Sequence, residues 1–170
     1  MIAVGADAPD FELGTHTRTT VRLSNYRGKK HVVLAFHPLA FTPVCSTQMQ
    51  TYEQARDRFD ALETVVLGIS KDASPSKRAW ADSLGGISFD LLSDFHPAGA
   101  VAESYGVLRE DGLTERAIFV VDKKGKIVWA QRYEIPEQPD CGTLIRALQE
   151  TSFISFTAFM VNSYFPIAIS

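Results

Sequence analysis

Cysteine is scarce in this chain: Cys45 and Cys141 are the only two in 170 residues. So few cannot staple a disulfide-built scaffold, and stability has to come from a packed core, which a chain of this length can bury. Basic charge is short as well. Seventeen Lys and Arg stand against twenty Asp and Glu, a net charge of −3, which gives no electrostatic reason to expect nucleic acid or anionic lipid as a partner. No basic segment followed by an apolar run opens the sequence, so the expectation is a cytoplasmic protein. Internal repeats and low-complexity linkers are missing, which leaves one domain rather than an array. Residues 151–170 lack charge altogether. Asn162, Ser163 and Pro166, the interspersed hydroxyl residues and the want of basic flanks argue against a membrane span there.

What the chain does have is concentrated between His31 and Phe59. The unbroken apolar run Val32-Val33-Leu34-Ala35-Phe36 reads as a strand buried on both faces of a sheet. A turn follows, and then Cys45, Met49, Tyr52, Ala55 and Phe59 recur at helical spacing, with Glu53, Arg56, Asp57, Arg58 and Asp60 on the other face. Pro43 suits the first helical turn, where its missing N–H has no partner to lose. Cys45 therefore falls in the first turn of a helix, just past the carboxyl end of a central strand, where open α/β sheets place their chemistry. The free N–H groups and positive dipole end of a helix start favour a thiolate. A cysteine with a pKa of ~8.5 is about 3% thiolate at neutral pH, and one lowered to ~6 is about 90%. A buried structural cysteine is the other reading of position alone.

Pro38, Thr42 and Cys45 form P-x-x-x-T-x-x-C, a pattern that resembles the active-site signature of the peroxiredoxins. The opening segment resembles theirs too, with Gly5-Ala6-Asp7-Ala8-Pro9-Asp10-Phe11 and Leu23-Ser24-Asn25-Tyr26-Arg27-Gly28-Lys29. The resemblance runs over about residues 3–150. It implies a thioredoxin-like α/β fold, a central mixed sheet flanked by helices with an amino-terminal β-hairpin extension. It also implies that Cys45 attacks the peroxide O–O bond as thiolate, that Thr42 and helix-start N–H groups hold the peroxide oxygens, and that Pro38 shields the sulfur. Arg116, in Arg116-Ala117-Ile118-Phe119-Val120-Val121-Asp122, matches the family's R-x-x-F-V-x-D. The resemblance gives it support of the thiolate and polarisation of the peroxide, work that suits a planar fork which cannot lose its proton. Gln48 lies one helical turn after Cys45, where many family members carry an acid that orients the Arg. Gln can accept from Arg116 but adds no charge.

Outside this region, Thr64–Ser70 reads as a second buried strand. Ser74-Pro75 then caps and starts a helix through Trp80 to about Leu84. Trp80 itself reads as core or loop anchor. A short strand at 89–92, a helix around 98–104, and a hairpin of 116–122 and 126–130 about Lys123-Lys124-Gly125 follow. A last helix is expected near 141–150. The domain is then 1–150, and 151–170 is an apolar tail. There the alternation in Phe153-Ile154-Ser155-Phe156-Thr157 points to an added strand, and the tail is expected to act as a packing or interface arm. His16, His31, His37 and His96 read as loop and strand-end residues rather than a zinc site, since His31 and His37 would be ~20 Å apart on one strand.

A sulfenic acid at Cys45 needs a thiol to restore it. Position 50 is Gln50, where one peroxiredoxin type has a second cysteine, and the carboxy-terminal V-C-P of another type is missing. Cys141 is left as a resolving cysteine at an unusual site, an intersubunit partner or an inert thiol. The base case is one-Cys chemistry with an external thiol reductant of thioredoxin, glutaredoxin or small-thiol type, most similar to the alkyl hydroperoxide reductase E branch. No cofactor is called for, and a homodimer is what the resemblance implies. A dithiol reductase needs C-x-x-C, and Gln48 takes the second cysteine's place. The alternative from another class is a non-catalytic binding or chaperone-like module that keeps the fold.

Overall fold

In the computed structural model, which describes the backbone of residues 1–164 and side chains through Val161, seven strands form one sheet. They are β1 (Glu12–Thr15), β2 (Thr20–Arg22), β3 (His31–Phe36), β4 (Thr64–Ser70), β5 (Asp90–Ser93), β6 (Arg116–Val121) and β7 (Ile127–Tyr133). Their order across the sheet is β2-β1-β5-β4-β3-β6-β7. The centre is parallel, β3 with β4 and β4 with β5, and both flanks are antiparallel. This is the expected mixed, thioredoxin-like sheet. The amino-terminal hairpin β1–β2 extends it by pairing with β5.

Strand periodicity divides the core. On β3, Val32, Leu34 and Phe36 face one side, where Tyr105, Phe119 and Leu13 join them. Val33 and Ala35 face the other, with Met49, Tyr52, Trp80, Ile118, Leu144 and Cys45. All six residues of β3 and of β6 are buried, which is why both read as continuous apolar runs rather than alternating ones. Each large side chain so buried stabilises the fold by roughly 1.5–3 kcal/mol before chain entropy is set against it.

The helices are α1 (Pro43–Gln54), α2 (Arg56–Ala61), α3 (Ser74–Ser83), α4 (Ala100–Ser104) and α5 (Cys141–Tyr164). The continuous helix expected through Phe59 breaks at Ala55, whose ψ of 6° takes it out of helical register. The break turns Phe59 so that its ring meets Tyr52 edge-on at 5.9 Å. α1 lies close over β4 because residue 68 is glycine: a Cβ there would stand 2.8 Å from Leu91 Cδ2 and 3.2 Å from Met49 Sδ. α3 begins one residue earlier than expected, capped by Ala73 with Ser74 and Pro75 both inside it. Gly99, left-handed at φ 73°, delays α4 to Ala100.

The strand expected in the tail is a helix instead. α5 runs on without a break from its Asp140 cap, whose Oδ2 accepts from Thr143 N at 2.8 Å, through Phe153-Ile154-Ser155-Phe156-Thr157 to Tyr164. No Gly or Pro interrupts the chain from Thr143 to Tyr164, so the helix propagates once nucleated, whatever the local alternation. Beyond Thr151 it leaves the body of the protein, and Phe153, Ile154, Phe156, Phe159 and Val161 are exposed. The expected contents of 165–170 lie outside the described residues.

Candidate active site

The site assembles at the carboxyl ends of β3 and β4. Strand β3 ends at Phe36, and His37 and Pro38 continue into the loop, both buried. The loop is held from behind: Ala40 N donates to Asp72 Oδ2 at 2.9 Å, and Ser70 Oγ at the end of β4 donates to the same oxygen at 2.6 Å. Phe41 then takes a left-handed backbone, φ 61°, with its ring 58% exposed. Such a conformation is an outlier for a bulky residue, retained where surrounding contacts enforce it. It reverses the chain so that Thr42, extended at φ −96° and ψ 148°, becomes the N-cap of α1.

Thr42 makes no side-chain cap bond. Its Oγ1 donates instead to Leu39 O at 2.8 Å. With the hydroxyl hydrogen committed to the loop carbonyl, the oxygen is left as an acceptor facing the helix start. Pro43 opens α1, and the N–H groups of Val44 and Cys45 have no preceding helical turn to bond. The helix start therefore offers one acceptor and a set of backbone donors.

Cys45 is wholly buried on the inward stripe of α1 with Gln48, Met49 and Tyr52. The register of β6 against β3, Phe36 opposite Ala117, brings Arg116 to the same end of the sheet. The residue is 1% exposed, and each of its three guanidinium nitrogens has a partner. Nη2 lies 3.4 Å from Cys45 Sγ, Nη1 donates to Gln48 Oε1 at 2.9 Å, and Nε donates to Ile135 O at 3.0 Å. Gln48 is fixed in turn by Tyr52, its Nε2 donating to the phenol oxygen at 3.1 Å. Burial pushes the Tyr52 phenol well above its ordinary range, so it stays neutral.

Of the residues singled out from the sequence, the structure thus brings Cys45, Arg116 and Gln48 into contact, with Thr42 at the cap of the same helix and Pro38 buried in the loop before it. Cys141 sits half-buried at the start of α5, against the same core cluster as Cys45. Both cysteines are free. Burial pushes the Cys141 thiol up, Asp140 adds to that, and Arg58 opposes it. Trp80 is core and anchor at once, its indole N–H donating to Ser46 Oγ at 3.0 Å.

One group near the site escaped the sequence reading, and a second, His37, was read only as a strand-end residue. Lys77 is wholly buried, with its Nζ 3.3 Å from His37 Nε2. His37 is likewise buried and packs on Trp80, the ring centroids 5.2 Å apart. The signal in the sequence was spacing: Lys77 stands three residues before Trp80 on a helix, hence on its inward face. Among the described residues, no group of three or more His, Cys, Asp or Glu is arranged to hold a metal ion, and no helix is long and apolar enough to cross a membrane.

Residues 4–130 match the family model described as the AhpC/TSA family. The chain belongs to that family. It is a peroxiredoxin, a thiol-dependent peroxidase. It is 40% identical over 141 residues to alkyl hydroperoxide reductase E of Mycobacterium tuberculosis, covering 82% of this chain and 92% of that one. To the chloroplastic 2-cysteine peroxiredoxin of Chattonella marina it is 40% identical over 140 residues, 74% of this chain and 68% of the other. Among solved structures, Enterococcus faecalis AhpC superposes with a TM-score of 0.84 at 27% identity, covering 91% of this peroxiredoxin and 95% of that chain. The reduced 2-Cys peroxiredoxin of Plasmodium vivax gives 0.82, also at 27% identity, with 91% and 99% covered.

Proposed function

We propose that Cys45 is the residue with which this peroxiredoxin attacks peroxide, and that an external thiol, not Cys141, restores it. The contact between Arg116 Nη2 and Cys45 Sγ at 3.4 Å carries the reading, because it sets a permanent cation against the sulfur in a site screened from water. The thiolate's electron pair forms an S–O bond to the nearer peroxide oxygen as the O–O bond breaks. Sulfur leaves as sulfenic acid, and the departing hydroxide or alkoxide takes a proton to become water or alcohol. Thr42 Oγ1 accepts from the peroxide OH while the α1 N–H groups and Arg116 face the oxygen on which charge develops. Pro38 closes the pocket over the sulfur.

The substrate is hydrogen peroxide or a small organic hydroperoxide, in keeping with the buried sulfur. Cys141 is a poor second thiol, since burial and Asp140 both disfavour its ionised form. The partners on this reading are a peroxide, a thiol reductant of thioredoxin, glutaredoxin or small-molecule type, and a second copy in a homodimer, in a reducing compartment such as the cytoplasm. Residues 1–150 are the catalytic domain, and 151–170 serve as an interface arm.

The deciding experiment is intact-mass spectrometry of the reduced protein after one equivalent of hydrogen peroxide without added thiol. Gain of one oxygen, localised to Cys45, is the expected result. Loss of two hydrogens, or a covalent dimer, transfers the second half-reaction to Cys141. An unchanged mass removes Cys45 from the role.

A further inference from the structure

One peptide unit in the loop between β3 and α1 is bonded by a side chain at each of its polar groups. It is the unit that joins Leu39 to Ala40. Ala40 N donates to Asp72 Oδ2 at 2.9 Å, and Leu39 O accepts from Thr42 Oγ1 at 2.8 Å. The N–H and C=O of a trans peptide leave opposite edges of one rigid plane. Asp72 and Thr42 therefore grip the two edges of the same plate, and turning it disturbs both bonds at once.

The ends of two strands hold Asp72 in turn. Its Oδ2 also accepts from Ser70 Oγ, at the last residue of β4, at 2.6 Å. Its backbone oxygen accepts from Ser93 Oγ, at the last residue of β5, at 2.7 Å. The sheet thus fixes the carboxylate, the carboxylate fixes the peptide plane, and the plane presents its carbonyl to Thr42. Hydrogen bonds in series polarise one another, so an acceptor on the N–H strengthens the carbonyl beyond it. Phe41, held at φ 61°, lies between the bonded peptide and Thr42. A bulky residue keeps such a backbone only where its surroundings enforce it, and these two bonds do so.

What Thr42 gains is a direction for its single hydrogen. A hydroxyl has one O–H and two lone pairs, and it rotates to suit its neighbours. A threonine at an N-cap ordinarily turns its oxygen onto the N–H groups of the first helical turn. Thr42 makes no such bond. With its hydrogen drawn to Leu39 O, the oxygen remains an acceptor and the start of α1 remains uncapped by it.

We propose that Asp72 is a positioning residue for peroxide reduction: through the Leu39–Ala40 peptide its Oδ2 sets the orientation of the Thr42 hydroxyl, which keeps an acceptor and the helix-start donors open to the substrate. The inference rests on Thr42 being the acceptor for the peroxide OH. Without the Asp72 side chain the peptide plane is free to rotate and the hydroxyl loses its fixed partner. Capping of α1 then competes with the substrate for the same N–H groups. Asp72 is half-buried, and the bond from Ser93 to its backbone survives truncation, so the damage stays within the loop.

The test is a double-mutant cycle on the second-order rate constant for Cys45 oxidation by hydrogen peroxide, measured by stopped flow on the reduced full chain. Asp72→Ala is expected to slow the reaction about 10-fold, within the range for a small displacement beside a reacting centre. Asp72→Asn keeps an oxygen where Oδ2 stands and is expected to recover most of the rate. In a Thr42→Val background, with no hydroxyl left to orient, Asp72→Ala is expected to cost less than about 2-fold, because two changes on one path do not add. A residue that served only the fold would cost the same factor in both backgrounds. An undiminished loss in the Thr42→Val background therefore overturns the proposal, as does an Asp72→Ala rate equal to wild type or an Asp72→Asn rate as low as that of Asp72→Ala. Should Asp72→Ala fail to fold, Asp72→Ser takes its place in the cycle, its hydroxyl being too short to reach Ala40 N. A Thr42→Val rate equal to wild type overturns the role of Thr42 and this proposal with it, whereas a slow Thr42→Val with an additive cycle overturns this proposal alone.

Discussion

Arg116 reaches Cys45 through a guanidinium whose other acceptors are neutral. Nη2 is 3.4 Å from Cys45 Sγ, and the remaining bonds go to Gln48 Oε1 and Ile135 O. A carboxylate at position 48 would orient the guanidinium equally well but cancel part of its field at the sulfur. With Gln48 the positive charge is oriented without being neutralised, and a Cys45 thiolate is its natural counter-ion.

Removing that charge should cost rate before it costs fold. Arg116→Met is expected to slow Cys45 oxidation about 10²–10³-fold, the range for loss of one preorganised donor at a reacting centre. Arg116→Lys should recover little, because one ammonium cannot hold Gln48, Ile135 and the sulfur together. Single-turnover kinetics with hydrogen peroxide checks both, and a loss under about 3-fold would contradict the role assigned here.

Gln48→Leu removes both ends of a buried relay. Tyr52 OH loses its donor and Arg116 Nη1 its acceptor. Unfolding free energy is expected to fall by about 1–3 kcal/mol, measurable by urea titration. The rate with peroxide should drop about 10-fold as the guanidinium loses one of its anchors.

Thr42→Val separates chemistry from capping. Because the Thr42 hydroxyl makes no cap bond, stability should change by no more than about 1 kcal/mol. Peroxide oxidation of Cys45 should slow at least about 10²-fold, and Thr42→Ser should restore most of it. Comparing the thermal midpoint with the rate in each variant checks the separation.

Lys77 should leave a signature in stability. Burial lowers it from the ordinary 10.5 to about 7, so between those values the unfolded chain binds a proton that the folded chain does not. Stability then rises with pH across that window, and the contribution is lost as pH falls through about 7. Lys77→Met is expected to be more stable than wild type near pH 6 by about 1–4 kcal/mol, in line with replacing buried charge by apolar volume. The gap should close by about pH 10. Denaturant midpoints at several pH values test it.

Truncation after Glu150 removes the helical extension that exposes Phe153, Ile154, Phe156 and Val161. Oligomeric state or solubility is expected to change, and the rate with peroxide to stay within about 2-fold of the full chain, since the extension lies beyond the packed body. Analytical ultracentrifugation beside the kinetic assay tests this, and loss of reactivity would contradict the placement of the domain boundary.

The central strand, the helix after it and the hairpin ending in β7 were legible because their signals are local. A run buried on both faces, a Pro at a helix start and a Gly-containing turn each state their structure within a few residues. Cys45, Thr42, Pro38 and Arg116 were legible as a resemblance, and the register of β3 against β6 shows why such distant motifs meet. Lys77 stayed hidden, and His37 was read as no more than a strand-end residue, because burial of a polar residue is decided by neighbours far along the chain. The Asp72 anchor of the loop did so for the same reason: Ala40 and Asp72 meet only after β3 and β4 pair. The tail misled because short alternation is a weak signal beside a helix already nucleated at Asp140.

Cys45 has no exposed surface, and this bears on turnover more than on the first encounter. A peroxide needs only a small breach to meet a sulfur so enclosed, whereas a thiol carried on another protein needs far more room. Reduction of an oxidised Cys45 by a protein thiol is therefore expected to require the first turn of α1 to open, an event whose frequency belongs to the fold rather than to the reductant. Recycling should therefore saturate with increasing concentration of a protein reductant, at a ceiling equal to the opening rate, while a small thiol should show a higher ceiling or none.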